Sequence, residues 1–226
     1  MNLALFDLDG TLLSTDSDHA FNEHVLGLGW ADGVPFRRQN DVFYEQYLAG
    51  VLDIHAYIDF ATRPWRHRKD AELAAVSRHF VEHIVRPALP AASFELVQRH
   101  RDAGDLLAIV TATSDFITRP IADLLGVPEL IATELERDAA GRVTGRIRGV
   151  PSFREGKVER VHDWLARQGR ALGDFERSVF YSDSTNDLPL LEAVTHPVAT
   201  NPGATLERIA RDRGWPVLKF FEAAPA

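Results

Sequence analysis

The chain contains no cysteine among its 226 residues. Disulfides, thiolate nucleophiles and metal sites with cysteine ligands are therefore excluded. No window approaches the ~18 consecutive apolar residues of a membrane span, and the N-terminus lacks the basic stretch and apolar run of a secretory signal. We therefore expect a cytoplasmic protein without a membrane partner, whose chemistry rests on oxygen and nitrogen groups.

Positive charge is also scarce. The 25 Lys and Arg residues face 33 Asp and Glu residues, which gives a formal net charge of -8. A nucleic-acid surface normally needs a basic patch to neutralise phosphates, so we expect no nucleic-acid partner. One local exception, residues 63–69 (RPWRHRK), is either an anion-binding segment or a solvated helix start.

Short apolar runs alternate with stretches of helical character. The runs at residues 3–6, 105–113 and 178–183 each end in polar residues, as buried strands do where they open into a turn. The helix-like stretches are residues 93–101, 115–125, 153–167 and 202–211. Strands alternating with helices predict an α/β fold, with a Rossmann-like core of three layers in which helices cover both faces of a parallel sheet.

Residues 14–88 follow a different pattern. They carry aromatic and leucine residues at helical spacing and no convincing buried strand. We therefore predict a helical cap at 14–88, inserted after the first strand into an α/β catalytic core of residues 1–13 and 89–226. Residues 137–148 contain two glycines and alternating apolar positions, which predicts a small hairpin.

The polar residues at the strand ends are suited to phosphate chemistry. Asp7 and Asp9 lie two residues apart after the first strand, where one carboxylate can attack phosphorus while its neighbour exchanges protons with the leaving oxygen and with water. Magnesium commonly uses one or two carboxylates plus phosphate and water, and Asp183 at the third strand end is a candidate ligand, with Asp187 close by. Because ligands bind at the carboxyl ends of parallel strands, one shared site is expected.

Each of these residues also has an ordinary structural explanation. Asp-x-Asp-Gly alone occurs in surface turns. A calcium loop is excluded, because such a loop places Gly at its sixth position, whereas Gly10 is the fourth residue counted from Asp7. Thr111 and the backbone NH of Ala112 are candidate phosphate donors, but Thr111 is equally a strand residue. Lys157 lies near a helix start, where a cation is disfavoured by the helix dipole, and is either a phosphate ligand or a solvated charge.

Taken together, FDLDGTL at residues 6–12, Thr111, Lys157 and SDSTND at residues 182–187 resemble the haloacid dehalogenase-like phosphatases, in particular the phosphoserine phosphatase branch with a helical cap of the first type. The resemblance implies that Asp7 is the nucleophile and Asp9 the acid/base. It makes Thr111, Ala112 and Lys157 phosphate ligands. Magnesium would be bound by Asp7, Asp183 and the backbone carbonyl of Asp9, with Asp187 and Asn186 supporting the metal.

The same resemblance indicates the reaction. Family members that dehalogenate lack the second aspartate, so Asp9 favours phosphoryl transfer. Hydrolysis is favoured over mutase action because no second phosphate site is marked in the sequence. The alternatives are a phosphomutase or phosphotransferase, and a non-catalytic protein that binds a phosphorylated ligand.

The substrate is expected to depend on the cap. Asp16 and Asp18 fall near the position where the phosphoserine branch has a glutamate that binds the substrate amine, and Arg63 and Arg66 are candidate partners for a substrate carboxylate. The expected partner is thus a small phosphate monoester: phosphoserine, or an amine-bearing ester such as histidinol phosphate that needs the acids but no arginine.

Two further sets of cap residues are ambiguous. The histidines, including His19, are interpreted as surface or capping residues, since no acidic ligand is spaced to complete a zinc site. The aromatic residues either line a cap pocket or pack the cap core. They are Trp30, Phe36, Phe43, Tyr44 and Tyr47.

Overall fold

We analysed a computed structural model, which describes residues 1–221 of the chain. The strands are β1 (Leu3–Phe6), β2 (Leu106–Ser114), β3 (Glu129–Thr133), β4 (Leu135–Arg137), β5 (Val143–Ile147), β6 (Ser178–Ser182), β7 (His196–Thr200) and β8 (Val217–Leu218). Six of them form one sheet in the order β3-β2-β1-β6-β7-β8, in which every neighbouring pair is parallel.

Helices cover both faces of this sheet, so the predicted three-layer α/β fold is confirmed. The helices are α1 (Ser17–Gly27), α2 (Gly33–Leu48), α3 (Ile54–Thr62), α4 (Asp70–Phe80), α5 (Ala91–Asp102), α6 (Asp115–Leu124), α7 (Glu155–Ala166), α8 (Leu188–Ala193) and α9 (Ala204–Asp212). Single helical turns also occur at Val81–Val85, Arg86–Ala88, Leu172–Asp174 and Thr185–Asp187.

The two faces of the central strand β1 belong to two separate hydrophobic clusters. Leu3 and Leu5 pack with side chains of α7, α8 and α9. Ala4 and Phe6 point to the opposite face, where α5, α6 and the helices that follow β1 supply the packing. Successive side chains of a strand point to opposite faces, so a strand buried on both sides must be apolar throughout, as LALF is.

The segment between β1 and β2 is helical, as predicted, and contains α1 to α4. Trp65, from the turn between α3 and α4, is 1% exposed and stacks on Phe116 of α6 at 4.4 Å between ring centroids. This contact anchors the helical segment to the layer that covers the sheet. The domain boundaries at residues 13/14 and 88/89 remain predictions.

The predicted hairpin is present outside the six-stranded sheet, since β4 and β5 pair antiparallel. Within residues 1–221 no helix is both long and apolar enough to cross a membrane.

Because β1 pairs directly with β2 and with β6, the carboxyl ends of these three strands, and the polar residues that follow them, lie side by side.

Candidate active site

A buried ion cluster lies at the carboxyl ends of β1 and β6. Lys157 Nζ is 3.0 Å from Asp7 Oδ1 and 2.7 Å from Asp187 Oδ2, and the Ser182 hydroxyl donates to the same Asp187 oxygen at 2.7 Å. Asp7, Lys157 and Asp187 are at most 3% exposed. A buried charge is tolerated only when paired and hydrogen-bonded, so these contacts fix all three side chains.

The second carboxylate oxygen of Asp7 is left free. Asp7 Oδ2 is buried and has no hydrogen-bond partner among the described residues. Burial, followed by the charges of Asp187 and Asp183, raises the pKa of Asp7 well above its ordinary value although Lys157 opposes the shift. For Lys157, burial disfavours the ammonium, but the two carboxylates outweigh it and raise its pKa. The cluster therefore carries more negative charge than Lys157 neutralises.

The loop after β1 is shaped to receive Asp183. Gly10 has φ +72°, and a Cβ at this position would collide with the Asp183 carboxylate. The buried Thr11 hydroxyl donates to Asp183 Oδ1 at 2.9 Å and accepts from the Asp183 backbone NH at 3.0 Å. Asn201 holds the loop from the other side, since its amide donates to the Gly10 and Thr11 carbonyls at 3.0 Å each.

Asp9 is oriented by two donors. Its Oδ1 accepts from the Ser17 backbone NH at 2.8 Å, and its Oδ2 accepts from the Thr113 hydroxyl at 2.8 Å. Burial and the charge of Asp16 raise the pKa of Asp9 to about 7, despite these donors. A carboxyl group with such a pKa can hold and release a proton near neutral pH.

The helices α1, α2 and α3 close a cavity above these residues. Its lining consists of Asp7, Asp9, Asp16, Asp18, His19, Asn40, Phe43, Tyr44, Tyr47, Leu52, Ile54, Tyr57, Thr111, Ala112 and Thr113. Burial raises the pKa of both Asp16 and Asp18. The charges of Asp16 and Asp9 raise the pKa of Asp18 further. Four aspartates but no lysine or arginine line this cavity in the part of the chain that the structure describes.

Most of the sequence-predicted residues are brought together here. Asp7, Asp9, Asp16, Asp18, Thr111 and Ala112 line the cavity, whereas Lys157 and Asp187 lie beneath Asp7. Asp183 faces the Gly10 loop. The predicted metal-supporting residue Asn186 makes a different contact: its amide donates to the Tyr47 carbonyl at 3.0 Å and so ties the C-terminal end of α2 to the loop after β6.

Arg63 and Arg66 do not line the cavity. Both pair with Asp59 on α3, Arg66 at 2.8 Å, and Arg66 Nη1 also lies 3.5 Å from the Thr144 carbonyl of β5. The basic segment therefore forms its ion pairs within the helical segment, and Arg66 also contacts a backbone carbonyl of the hairpin. Asp59 lies four residues before Arg63, the helical spacing that favours such a pair.

The aromatic residues named from the sequence divide into two groups. Phe43, Tyr44 and Tyr47 line the cavity, whereas Phe36 stacks on Phe60 at 4.5 Å between ring centroids.

The sequence interpretation missed several other residues of the site. His19 was interpreted as a surface or capping residue, but it lies in the cavity wall. Other site residues with no predicted role are Thr11, Ser17, Asn40, Tyr57, Thr113 and Asn201. Thr113 could have been found, because it lies two residues after Thr111 on the same strand face.

The residues around Asp7 fit a magnesium ion. No three His, Asp or Glu side chains within residues 1–221 are arranged to hold a metal by themselves. Magnesium does not need such a group, since it binds through one or two carboxylates and keeps water or phosphate oxygens as its other ligands. The carboxylates of Asp7 and Asp183 supply oxygens of that type, in a cluster with surplus negative charge.

Comparison with known proteins agrees with this geometry. The family model for haloacid dehalogenase-like hydrolases matches residues 4–192. A histidinol-phosphatase of Neisseria meningitidis serogroup C (strain 8013) is 43% identical over 219 residues, which are 97% of this chain and 99% of that protein. Phosphoserine phosphatase SerB1 of Mycobacterium tuberculosis (strain ATCC 25618 / H37Rv) is 32% identical over 229 residues, which cover 99% of this chain and 72% of that protein.

One solved structure is similar over its full length. The crystal structure of a protein of unknown function from Bordetella pertussis Tohama I superimposes with a TM-score of 0.91 at 50% sequence identity. The match covers 97% of this chain and 99% of that one. The sheet, the helical segment and their arrangement are therefore shared between the two proteins.

We predict that Lys157→Met strongly destabilises the protein, because it leaves Asp7 and Asp187 buried without a counter-charge. Removing one partner of a buried ion pair costs about 3–5 kcal/mol, and the measurement is the free energy of unfolding in urea. Lys219→Met is the matched control, since Lys219 is more than half exposed and pairs with Glu207 at the surface. Equal, small changes in both variants would contradict the prediction.

Proposed function

The chain belongs to the haloacid dehalogenase-like hydrolase family and is a phosphatase, and we propose that it hydrolyses a small phosphate monoester whose alcohol part carries positive charge, with magnesium and through an aspartyl-phosphate on Asp7. The observation that carries this proposal is the free Oδ2 of Asp7, which is buried and unpartnered at the base of the cavity. An oxygen without a donor is available to a phosphorus atom. The other oxygen is held by Lys157.

In the first step, Asp7 Oδ2 attacks phosphorus and the bond from phosphorus to the ester oxygen breaks. Asp9 delivers its proton to the leaving oxygen, which departs as a neutral alcohol. In the second step, Asp9 takes a proton from water, whose oxygen attacks the phosphorus of the aspartyl-phosphate. Phosphate leaves, the Asp7 carboxylate is restored and Asp9 is protonated again. The pKa of about 7 for Asp9 supports both roles.

The phosphate group would be held by donors already in place. Thr111 Oγ1 accepts from the Thr113 backbone NH at 3.2 Å, which leaves the Thr111 hydroxyl hydrogen for the ligand. The Ala112 backbone and the Lys157 ammonium are the other proposed phosphate ligands. Magnesium would be held by Asp7, Asp183 and the Asp9 carbonyl, and when bound it neutralises negative charge on the phosphate. Asp187 would support this arrangement through Lys157.

The cavity walls favour a leaving group that carries positive charge. Asp16 and Asp18 line the cavity with no lysine or arginine among the other lining residues, which include the aromatic rings of Phe43 and Tyr44. Histidinol phosphate has an ammonium and an imidazole but no carboxylate, so it can satisfy the acids and stack on the rings. The 43% identical histidinol-phosphatase supports this choice. We therefore propose histidinol phosphate as the substrate.

Phosphoserine is the second candidate, because a 32% identical relative bears that name. Its carboxylate would enter a cavity lined by four aspartates without a cation, since Arg63 and Arg66 pair with Asp59 elsewhere. An unpaired buried charge is costly, which disfavours this substrate. The phosphatase relatives also leave the non-catalytic alternative without support, and nothing in the cavity marks a second phosphate site for a mutase.

Asp7→Asn should abolish turnover. The substitution preserves the shape of the side chain but removes the nucleophilic charge, so the rate of phosphate release from p-nitrophenyl phosphate should fall by about 10⁴-fold or more. Circular dichroism should show an unchanged fold. Wild-type activity in this variant would contradict the proposal.

Magnesium should be required and should bind through Asp183. We expect no phosphate release after treatment with a chelator and full recovery when Mg²⁺ is added back. Independently of activity, Mg²⁺ should raise the thermal unfolding midpoint of the wild type and of the control Asp163→Asn, but not of Asp183→Asn, because an ion that binds only the folded state stabilises it. The same Mg²⁺-induced shift in Asp183→Asn would contradict the proposed ligand.

The substrate assignment predicts a preference between two amino esters. In the presence of Mg²⁺, kcat/KM for histidinol phosphate should exceed that for phosphoserine by about 100-fold or more, since a site with unsuitable polar partners rejects a substrate by such factors. Release of inorganic phosphate is the measurement. Equal rates, or a preference for phosphoserine, would exclude the proposed substrate while leaving the phosphatase chemistry intact.

A further inference from the structure

A pair of buried asparagines joins α1 to α2 beside the cavity. Asn40 is 1% exposed, and no other residue of α2 is fully buried. Asn22 of α1 is equally buried, and its Nδ2 lies 2.9 Å from Asn40 Oδ1. A buried amide is costly unless it is hydrogen-bonded, and here both amide nitrogens and Asn40 Oδ1 have partners, whereas Asn22 Oδ1 has none among the described residues.

The orientation of Asn40 determines which nitrogen of His19 carries the ring hydrogen. The Asn40 atom beside the His19 backbone carbonyl, at 3.4 Å, must be Nδ2, because a carbonyl oxygen only accepts. The same Nδ2 lies 3.0 Å from His19 Nδ1. Since the amide nitrogen donates, Nδ1 accepts and the ring hydrogen sits on Nε2. Asn40 thus fixes both the position and the tautomer of His19.

The other asparagine orients a tyrosine. Asn22 Nδ2 lies 3.2 Å from the Tyr57 hydroxyl oxygen. The hydroxyl accepts this bond, so its own hydrogen is free to be donated towards Asp18, which lines the same cavity. The chain of hydrogen bonds therefore runs from His19 through Asn40 and Asn22 to Tyr57, and Asp18 extends it: after burial, its charge raises the pKa of Tyr57.

Four of the five residues in this chain line the cavity, and only Asn22 lies behind it. They lie on α1, α2 and α3, whereas the proposed phosphate donors lie on β2 and α7. A network made only to hold α2 on α1 would need neither the cavity-lining ring of His19 nor the hydroxyl of Tyr57. The chain is therefore placed to act on the part of the ester that leaves, not on the phosphate.

We propose that Asn40 and Asn22 are positioning residues for substrate selection, which hold His19 and Tyr57–Asp18 as the subsite for the nitrogen-bearing leaving group. The inference rests on the proposed function, and it adds residues that select the alcohol half of the ester. The Nε2–H of His19, 3.8 Å from the exposed Asp41 carboxylate, is a donor in the cavity wall, and Asp18 supplies a carboxylate to the same cavity. Together they offer a donor and an acceptor to a leaving group with both kinds of nitrogen, as an imidazole has.

The test compares two esters that differ in this half. Histidinol phosphate carries an ammonium and an imidazole, which p-nitrophenyl phosphate lacks, so the ratio of their kcat/KM values measures selection. For Asn40→Leu and for Tyr57→Phe, we expect this ratio to fall by about tenfold, mostly through a higher KM for histidinol phosphate, because each variant removes one oriented polar contact. The control Gln39→Leu, on the exposed face of α2, should keep the wild-type ratio.

A double variant tests whether the residues act as one chain. If they do, Asn40→Leu with Tyr57→Phe should lower the ratio no further than the larger single effect, whereas independent sites would multiply. Should Asn40→Leu fail to fold, Tyr57→Phe decides alone, since it removes a single oxygen.

The outcomes separate this inference from the substrate assignment. The positioning role would be wrong if a single variant lost activity equally on both esters, so that the ratio stayed unchanged, or if the losses of the two single variants multiplied in the double variant. In either case histidinol phosphate would remain a substrate. A wild-type protein that hydrolyses p-nitrophenyl phosphate, but neither hydrolyses histidinol phosphate nor is inhibited by histidinol, would overturn the substrate assignment, and the positioning role with it.

Discussion

The buried contact of Lys157 with Asp7 and Asp187 is the interaction on which the rest of the site depends. It joins residues 150 and 30 positions apart in sequence and holds the loops after β1 and β6 against the start of α7. One ammonium cannot neutralise Asp7, Asp183 and Asp187 together. Burial, followed by the charges of neighbouring carboxylates, raises the pKa of Asp7 well above its ordinary value and that of Asp183 to about 7. The surplus negative charge makes the cluster suited to a divalent cation.

The cavity above this cluster has two chemically distinct halves. Its base, at the strand ends, supplies hydroxyl and backbone NH donors suited to a phosphate, with the Lys157 ammonium beneath Asp7. Its walls, on the helices between β1 and β2, supply carboxylates and aromatic rings suited to a cation. In the proposed mechanism, the strand ends carry out the phosphate chemistry and the helical segment selects the ester.

The sequence predicted the parts of the fold that depend on local patterns. β1, β2 and β6 were found because each is an apolar run that ends in polar residues. β3, β7 and β8 were not predicted. For β7 the reason is that it begins with His196 and Pro197, and for β8 that it has only two residues. Asn40 could not be found either: helical periodicity marks apolar positions, and what buries Asn40 is a contact with Asn22 across two helices. For Arg63, the sequence shows Asp59 four residues earlier, so its pairing there was predictable.

The aspartyl-phosphate is the central claim, and the most direct measurement is to find it. Wild-type protein is quenched in acid during turnover of histidinol phosphate with Mg²⁺, digested and analysed by mass spectrometry, with p-nitrophenyl phosphate run in parallel. The account predicts a phosphate-bearing peptide that contains Asp7, which borohydride reduction converts to homoserine at that position. Phosphate release at full rate with no modification of Asp7, from either ester, would contradict it.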